Sequence, residues 1–361
     1  MKKLGQCLFA SLMILTCIAN ATVRTVSNAG GAQFFSLDAA IAGAVAGDTI
    51  YLKNTNIPYQ IADCDPGWSK PLVVMGIGFN PDIVNPKKVQ MSNYEACNSG
   101  ISNGNFALGS GGNGTKFYGV EFIQTIVTTA AITNYTFEDC SFSNLVNFGY
   151  FSAGGVLFKN CAFKANNTDN LLLTTNQASP SIAFTECIFN GSINGNNNNV
   201  SSLIFDHCLF LSTTVSLLSN LQTTTIQNSI FMNNAAVANN TANCTFNNNM
   251  AQLGATLPPA GNTGTANLVN TDPLFVNYTL GNFYSTSHNY RLQAGSPGIG
   301  AGIGGTDIGL HSSNSTFNEA GEPTMTPIIR NMTIEGVNVQ QNGKCKCKSA
   351  QYQSAIIVYF Y

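Results

Sequence analysis

Charged side chains are scarce in this chain: Asp, Glu, Lys and Arg make up 9% of its 361 residues, against about 25% in an average soluble protein. The 15 Lys and Arg nearly balance the 17 Asp and Glu, so no basic surface of the kind that binds nucleic acid is expected. The sequence also lacks a phosphate-binding glycine loop, a His-Glu-x-x-His motif and a Gly-x-Ser-x-Gly motif. Phosphoryl transfer, zinc proteolysis and esterase chemistry are therefore not expected.

Long apolar runs and helix-forming composition are missing as well. Beyond the first residues, no apolar run approaches the roughly 20 residues of a membrane-spanning helix. The chain has 34 Gly, one Trp and a 44% share of hydrophobic residues, together with abundant Asn, which favours many short strands and turns over long helices. A chain of this length in an all-β solenoid can form one continuous body.

The N-terminus has the three parts of an export signal. Lys2 and Lys3 are followed by a short apolar stretch, Leu8 to Ile18, and then by Ala19-Asn20-Ala21, a small-x-small pattern at which signal peptidase cleaves. Residues 1–21 are thus predicted to be a signal peptide, and the mature chain is predicted to begin near Thr22. We expect a secreted protein, extracellular or on the cell surface.

A six-residue motif recurs through the middle of the chain. Its copies are Phe117-Tyr-Gly-Val-Glu-Phe122, Phe137-Glu-Asp-Cys-Ser-Phe142, Phe158-Lys-Asn-Cys-Ala-Phe163, Phe184-Thr-Glu-Cys-Ile-Phe189, Phe205-Asp-His-Cys-Leu-Phe210 and Ile226-Gln-Asn-Ser-Ile-Phe231. The first residues are separated by 20, 21, 26, 21 and 21 positions. Short apolar strands with a period near 21 residues predict one turn of a β-solenoid per copy.

Each copy should contain a bend. Phe137, Cys140 and Phe142 cannot all face inward in one strand with two-residue alternation, so the chain must turn between them. The turn is predicted at Asp139, Asn160, Glu186, His207 and Asn228. Asn and Asp tolerate the left-handed backbone that such a turn requires, whereas Glu186 and His207 suit it less well.

After the bend, the cysteines should form one inward column with turns about 4.8 Å apart. This predicted core ladder comprises Cys140, Cys161, Cys187 and Cys208, with Phe142, Phe163, Phe189 and Phe210 beside them. The spacing would allow disulfides, and a thiol column could also suggest a metal site. Parallel side chains on successive turns point the wrong way for bridging and supply no tetrahedral cage, so we expect buried free thiols and no metal site.

These repeats resemble those of right-handed parallel β-helix proteins of the pectate-lyase-like superfamily. Ala39 to Leu52 resembles the short capping helix and first strand of many such proteins, and Thr271 to Phe275, Tyr290 to Pro297 and Thr306 to Gly309 resemble the terminal segment of secreted β-helix proteins of Bacteroidetes-type bacteria. The resemblance implies an all-β fold: a single-stranded right-handed parallel β-helix over residues 22–309, with an N-terminal capping helix.

The flanking regions carry fewer signals. Residues 53–115 read as irregular, and Cys64 and Cys97 within them are the best candidates for a disulfide, which would stabilise the fold by roughly 3–4 kcal/mol. Residues 251–270 read as a linker. Residues 310–361 form a C-terminal tail to which no fold is assigned, and its Cys345 and Cys347 are too few ligands for a structural zinc site.

One column of polar side chains is the best catalytic candidate. Glu138, Lys159, Thr185, Asp206 and Gln227 should stack on the outside of one sheet, beside the bend residues Glu186 and His207. We therefore predict Glu138, Lys159, Glu186, Asp206 and His207 as candidate catalytic residues. Carboxylates on adjacent turns raise one another's pKa, and His207 could act as acid or base. The alternative is an exposed polar column in which Glu138 and Lys159 pair weakly.

We expect a non-catalytic, adhesin-like module that binds a polysaccharide, a cell-surface glycan or another surface through its charge-poor polar exterior, without a cofactor. The alternative is a polysaccharide lyase or glycoside hydrolase that acts on acidic polysaccharide, for which the resemblance implies Ca²⁺ and a basic residue that takes the proton. A structural spacer is the third hypothesis. Neither nucleic acid nor a transmembrane segment is expected.

Overall fold

The computed structural model describes residues 21–61, 68–80, 88–93, 104–149, 151–166, 169–173, 181–195, 203–211, 216–232, 236–252, 256–312 and 317–323. Within these ranges the chain forms an all-β parallel solenoid of three sheets, with equivalent strands about 21 residues apart. The predicted parallel β-helix and its period are confirmed.

Sheets A and B contain ten parallel strands each, and sheet C contains seven. Sheet A comprises β1 (Val23–Val26), β2 (Thr49–Leu52), β4 (Val73–Met75), β7 (Lys116–Tyr118), β11 (Thr136–Glu138), β15 (Val156–Lys159), β18 (Ile182–Thr185), β21 (Leu203–Asp206), β24 (Thr225–Gln227) and β27 (Thr245–Asn247). Sheet B comprises β3 (Tyr59–Ile61), β5 (Gln90–Asn93), β8 (Glu121–Phe122), β12 (Ser141–Phe142), β16 (Ala162–Phe163), β19 (Ile188–Phe189), β22 (Leu209–Phe210), β25 (Ile230–Phe231), β28 (Met250–Ala251) and β29 (Leu268–Val269). Sheet C comprises β6 (Phe106–Leu108), β9 (Ile126–Thr128), β13 (Val146–Phe148), β17 (Asp169–Leu173), β20 (Ser192–Asn194), β23 (Leu218–Ser219) and β26 (Ala238–Asn239).

The remaining elements are short. β10 (Ile132–Thr133) pairs with β14 (Ala153–Gly154) in parallel, and β30 (Phe275–Asn277) pairs with β31 (Asn289–Leu292) antiparallel. Helix α1 spans Leu37–Gly43, and two 3₁₀ turns span Ser110–Gly112 and Ile303–Gly305. No helix in the described ranges is long and apolar enough to cross a membrane.

Two ladders of stacked phenylalanines fill the core. In sheet A the rings of Phe117, Phe137, Phe158, Phe184 and Phe205 stack with centroids 4.7 to 5.2 Å apart. In sheet B the rings of Phe122, Phe142, Phe163, Phe189, Phe210 and Phe231 stack at 4.6 to 5.3 Å. Rings of the two ladders meet edge to face, as between Phe137 and Phe142, which is a favourable arrangement for aromatic pairs.

The bend residues and the cysteines lie at equivalent positions on successive turns. The five predicted bend residues all have left-handed backbones, with φ between 50° and 54°. The thiols of Cys140, Cys161, Cys187 and Cys208 are buried and free. Each Sγ donates to the carbonyl oxygen two residues earlier, at 3.2 to 3.5 Å. These carbonyl oxygens also accept a backbone N–H from the preceding turn, so the thiol donor is satisfied inside the core.

The N-terminal end has one more strand than predicted. Helix α1 begins after Ser36, whose hydroxyl accepts a hydrogen bond from the amide of Ala39 at 3.3 Å, and it buries Leu37, Ala40 and Ile41 against the end of the core. β1 precedes this helix and pairs with β2, so the predicted first strand is the second strand of sheet A.

Two regions for which the sequence predicted no regular strands belong to the solenoid. Strands β3 to β6 lie within residues 53–115 and join all three sheets. Residues 251–270, interpreted as a linker, include β29, which extends sheet B. Both regions lack the Phe and Cys motif, so the repeat could not reveal their strands.

Three predictions concern residues that the structure does not describe and stay predictions. They are the signal peptide up to residue 20, the candidate disulfide Cys64–Cys97, and the role of Cys345 and Cys347.

The C-terminal residues lie over the outer face of sheet B. We call residues 272–312 and 317–323 the cover segment. Its buried side chains Phe275, Tyr290, Ile308, Leu310 and Phe317 form one hydrophobic cluster with the outward-facing Ile188, Leu209, Ile230 and Met250 of sheet B. The described end of the predicted tail is therefore packed against the solenoid.

Candidate functional site

One column of side chains runs along the outside of sheet A at the end of each strand. The strand registers place Tyr51, Met75, Tyr118, Glu138, Lys159, Thr185, Asp206, Gln227 and Asn247 side by side on successive strands. We call these nine residues the outer column. Its predicted central part, from Glu138 to Gln227, stacks as expected.

Glu138 and Lys159 form an ion pair on this column. Lys159 Nζ lies 2.9 Å from Glu138 Oε1, and the two side chains are 40% and 20% exposed. The hydrogen bond to Glu138 raises the pKa of Lys159 above its ordinary value. Because both groups reach solvent, the pair stabilises the fold by only about 0–1 kcal/mol. The ion pair also compensates the positive charge of Lys159, so this lysine attracts an anionic ligand less.

Asp206 is held by two neighbours on the adjacent bend. Its Oδ1 lies 2.9 Å from His207 Nδ1 and accepts a hydrogen bond from Asn228 Nδ2 at 2.9 Å. Burial acts to raise the pKa of Asp206, but the hydrogen bonds from His207 and Asn228 outweigh it and keep the pKa below the ordinary value. Asp206 is therefore a carboxylate at neutral pH.

Most of the bend residues lie below this column and are buried: Asp139 and Glu186 are 1% and 2% exposed, whereas the His207 side chain is 12% exposed. Among the described residues, Asp139 Oδ1, Asn160 Oδ1, Glu186 Oε2 and His207 Nε2 have no hydrogen-bond partner. Burial, followed by the charge of Glu138, raises the pKa of Asp139 to about 7. Glu186 is thus adjacent to the outer column but is not on its open side, whereas His207 is partly exposed beside Asp206. A catalytic role for the five predicted residues stays a prediction.

The cover segment closes part of this bend. A Cβ on Gly321 would meet the Phe79 ring at 2.2 Å and the Asp139 carbonyl oxygen at 3.0 Å, so only glycine fits this approach. Further along, the amide of Ile303 donates to Asn228 Oδ1 at 2.8 Å. A polymer could not reach Asp139 or Asn228 without displacing these residues.

Sequence reasoning did not single out the cluster around Glu121. This buried carboxylate pairs with Lys88 at 2.7 Å and with Lys164, and it accepts hydrogen bonds from Gln90 at 2.7 Å and from Ser143 at 3.1 Å. Burial acts to raise the pKa of Glu121, but the lysines and Gln90 outweigh it and lower the pKa to about 2. The sequence did contain one indication of this cluster: Glu121 occupies the fifth position of the six-residue motif, where the later copies have Ser, Ala, Ile or Leu.

The aromatic end of the outer column was also missed. Tyr51 and Tyr118 are half-buried and flank Met75 on three adjacent strands of sheet A. A tyrosine that is partly exposed on a flat sheet offers an apolar ring face and a polar hydroxyl. The column therefore combines a stacking platform at one end with hydrogen-bonding side chains along its length.

The residues of this region do not fit the calcium ion that the fold resemblance implies. In the described part of the chain, no three His, Cys, Asp or Glu side chains come together in a way that could hold a metal ion. The carboxylates of Glu121, Glu138 and Asp206 already engage Lys or His side chains, whereas Ca²⁺ requires six to eight oxygen ligands.

The chain matches no protein-family model and no curated protein. Among solved structures it resembles the pectate lyase Pel9A with a TM-score of 0.45 and 14% identity, over 82% of this chain and 97% of that chain. It also resembles a rhamnogalacturonan lyase with a TM-score of 0.39 and 10% identity, over 76% of this chain and 97% of that chain. Likenesses this distant say nothing about the activity of this chain.

Proposed function

We propose that the chain is an exported β-helix module that binds glycans, without cleaving them, along the outer column of sheet A. The observation that carries this proposal is the column itself: nine consecutive strands present half-exposed tyrosine, threonine, amide and paired charged side chains in one line. At about 4.8 Å per strand the column is about 38 Å long, which suits a polymer better than a single sugar.

The chemistry of this face matches that of a sugar. Glycans present apolar ring faces, which pack on tyrosine, and hydroxyl groups, which bond to amides and hydroxyls. The neighbouring outward column includes Thr136, Thr225 and Thr245, so further hydroxyls lie beside the first line. The buried carboxyl groups Asp139 and Glu186 contribute no accessible general acid or base to this face.

Retention on a panel of immobilised neutral and acidic polysaccharides tests the proposal. The protein without its predicted signal peptide should be retained by at least one of them, and Tyr118→Ala should weaken retention about tenfold. Phe35→Ala is the matched control, because Phe35 is an aromatic side chain that is 70% exposed outside sheet A. Equal retention of all three proteins would contradict the proposed face.

A polysaccharide lyase or hydrolase is the second candidate. The Asp206–His207 hydrogen bond favours it, since a carboxylate that orients an imidazole is a common acid–base arrangement. Incubation with acidic and neutral polysaccharides, with and without Ca²⁺, would reveal unsaturated products or new reducing ends. Product that is lost in Asp206→Ala or Lys159→Ala would replace the binding proposal with this one.

A further inference from the structure

The charges on the outer face of sheet A cancel. The two outward columns carry two lysines, Lys116 and Lys159, against two carboxylates, Glu138 and Asp206. Lys159 is paired with Glu138 at 2.9 Å. The buried side chains beside the column, Asp139 and Glu186, are acidic and supply no cation. Lys116 at one margin is thus the single cation of this face without an ion pair among the described residues.

A polyuronate carries one carboxylate on each sugar and is attracted to a face with several unpaired cations. This face offers one, next to carboxylates that would repel the ligand. Its other outward side chains are uncharged: they include Val73, Leu157, Ala183 and Ile204 in the neighbouring column and Thr185, Gln227 and Asn247 in the outer column. Apolar patches next to hydroxyls and amides suit the ring faces and hydroxyls of uncharged sugars.

We infer that the ligand of this face is a neutral polysaccharide, bound along the outer column by stacking and neutral hydrogen bonds. This inference rests on the proposed function and narrows it. Because no ion pair with the ligand is involved, binding should depend little on salt.

Electrophoresis through gels that contain either a neutral galactomannan or polygalacturonate tests this choice, at low and at high salt. The neutral gel should retard the protein at both salt concentrations, and Tyr118→Ala should lose about tenfold in affinity while Phe35→Ala does not. Gels that contain xyloglucan or a mixed-linkage β-glucan test two further neutral polysaccharides.

Glu138→Gln sharpens the test because it frees Lys159 without altering the shape of the face. This variant should gain salt-sensitive retardation by polygalacturonate that the unmodified protein does not show. Salt-sensitive binding of the unmodified protein to polygalacturonate alone would overturn the neutral inference and leave the binding proposal intact. Absence of retardation in every gel would overturn the proposed function, and the inference with it.

Discussion

The outer faces of sheets A and B come from the same repeats but differ in character. In one turn of the solenoid, Ile204 and Asp206 point outward from sheet A, and Leu209 points outward from sheet B. Ile204 is 40% exposed, whereas Leu209 is fully buried under the cover segment. Sheet B therefore contributes its outer face to a second hydrophobic core, and sheet A keeps its outer face available for a ligand.

This difference follows from which side chains occupy the outward positions. Sheet B presents Ile188, Leu209, Ile230 and Met250 in sequence, an apolar stripe that must be covered. Sheet A interrupts its apolar positions with Lys, Thr, Glu and Asp. Packing of the cover segment thus contributes to the stability of the solenoid, and the proposed binding role concerns sheet A.

Replacing one isoleucine on each face should give the largest difference in the free energy of unfolding. Ile230→Ala should lower the free energy of unfolding by about 4 kcal/mol, because Ile230 is fully buried between sheet B and Gly309. Ile204→Ala on the open face should cost about 0.5 kcal/mol or less. Denaturant unfolding of both variants measures the difference, and equal losses would show that sheet B is not covered.

Removing one carboxylate from each face should give a smaller difference in the free energy of unfolding. Glu121→Gln leaves Lys88 and Lys164 without their anion near the edge of the cover segment, and should cost about 3 kcal/mol. Glu138→Gln breaks the half-exposed pair with Lys159 and should cost about 0–1 kcal/mol. Unfolding at neutral pH compares the two.

Acid adds an independent check on Glu121. Its folded-state pKa is lowered from 4.5 to about 2, so its contribution is present above about pH 4.5 and is lost as the pH falls through 2. The cost of Glu121→Gln should therefore shrink in acid. A cost that stays constant from about pH 6 to 2 would contradict the ion cluster.

A second pH dependence concerns Asp139, whose pKa in the folded protein is raised from 3.8 to about 7. Its contribution to stability is full below about pH 4 and is lost as the pH rises through 7. Asp139→Asn cannot ionise, so its Tm should rise by a few degrees relative to the unmodified protein between about pH 4 and 8. Asp206→Asn should show its pH dependence in acid instead: because the pKa of Asp206 is lowered from 3.8, the loss of Tm in this variant should be constant at neutral pH and shrink as the pH falls below about 4.

The repeat motif was sufficient to predict the central solenoid. Phe137, Cys140 and Phe142 have equivalents at nearly constant spacing, so the ladders and the bend at Asp139 follow from strand geometry alone. Even the poorly suited Glu186 and His207 adopt the left-handed backbone, because the stacked turns above and below fix it.

Interactions between distant segments could not be predicted in this way. The burial of Glu186 and Asp139 depends on packing around the bend, where Gly321 approaches Asp139 although the two are far apart in the chain. The pairing of Glu121 with Lys164 likewise joins two turns with a third turn between them, through side chains that do not recur in the repeat. A sequence pattern gives the register of strands but does not say which outer face a later segment will cover.

Site-resolved thiol labelling tests the contrast between the two faces most directly. The cysteines introduced by Ile204→Cys and Ile230→Cys can be alkylated in the native protein and quantified by mass spectrometry of the labelled peptides. The account predicts rapid labelling at position 204, slowed by a neutral polysaccharide, and protection at position 230 with or without it. Equal labelling at both positions, or a polysaccharide effect at 230 and none at 204, would contradict it.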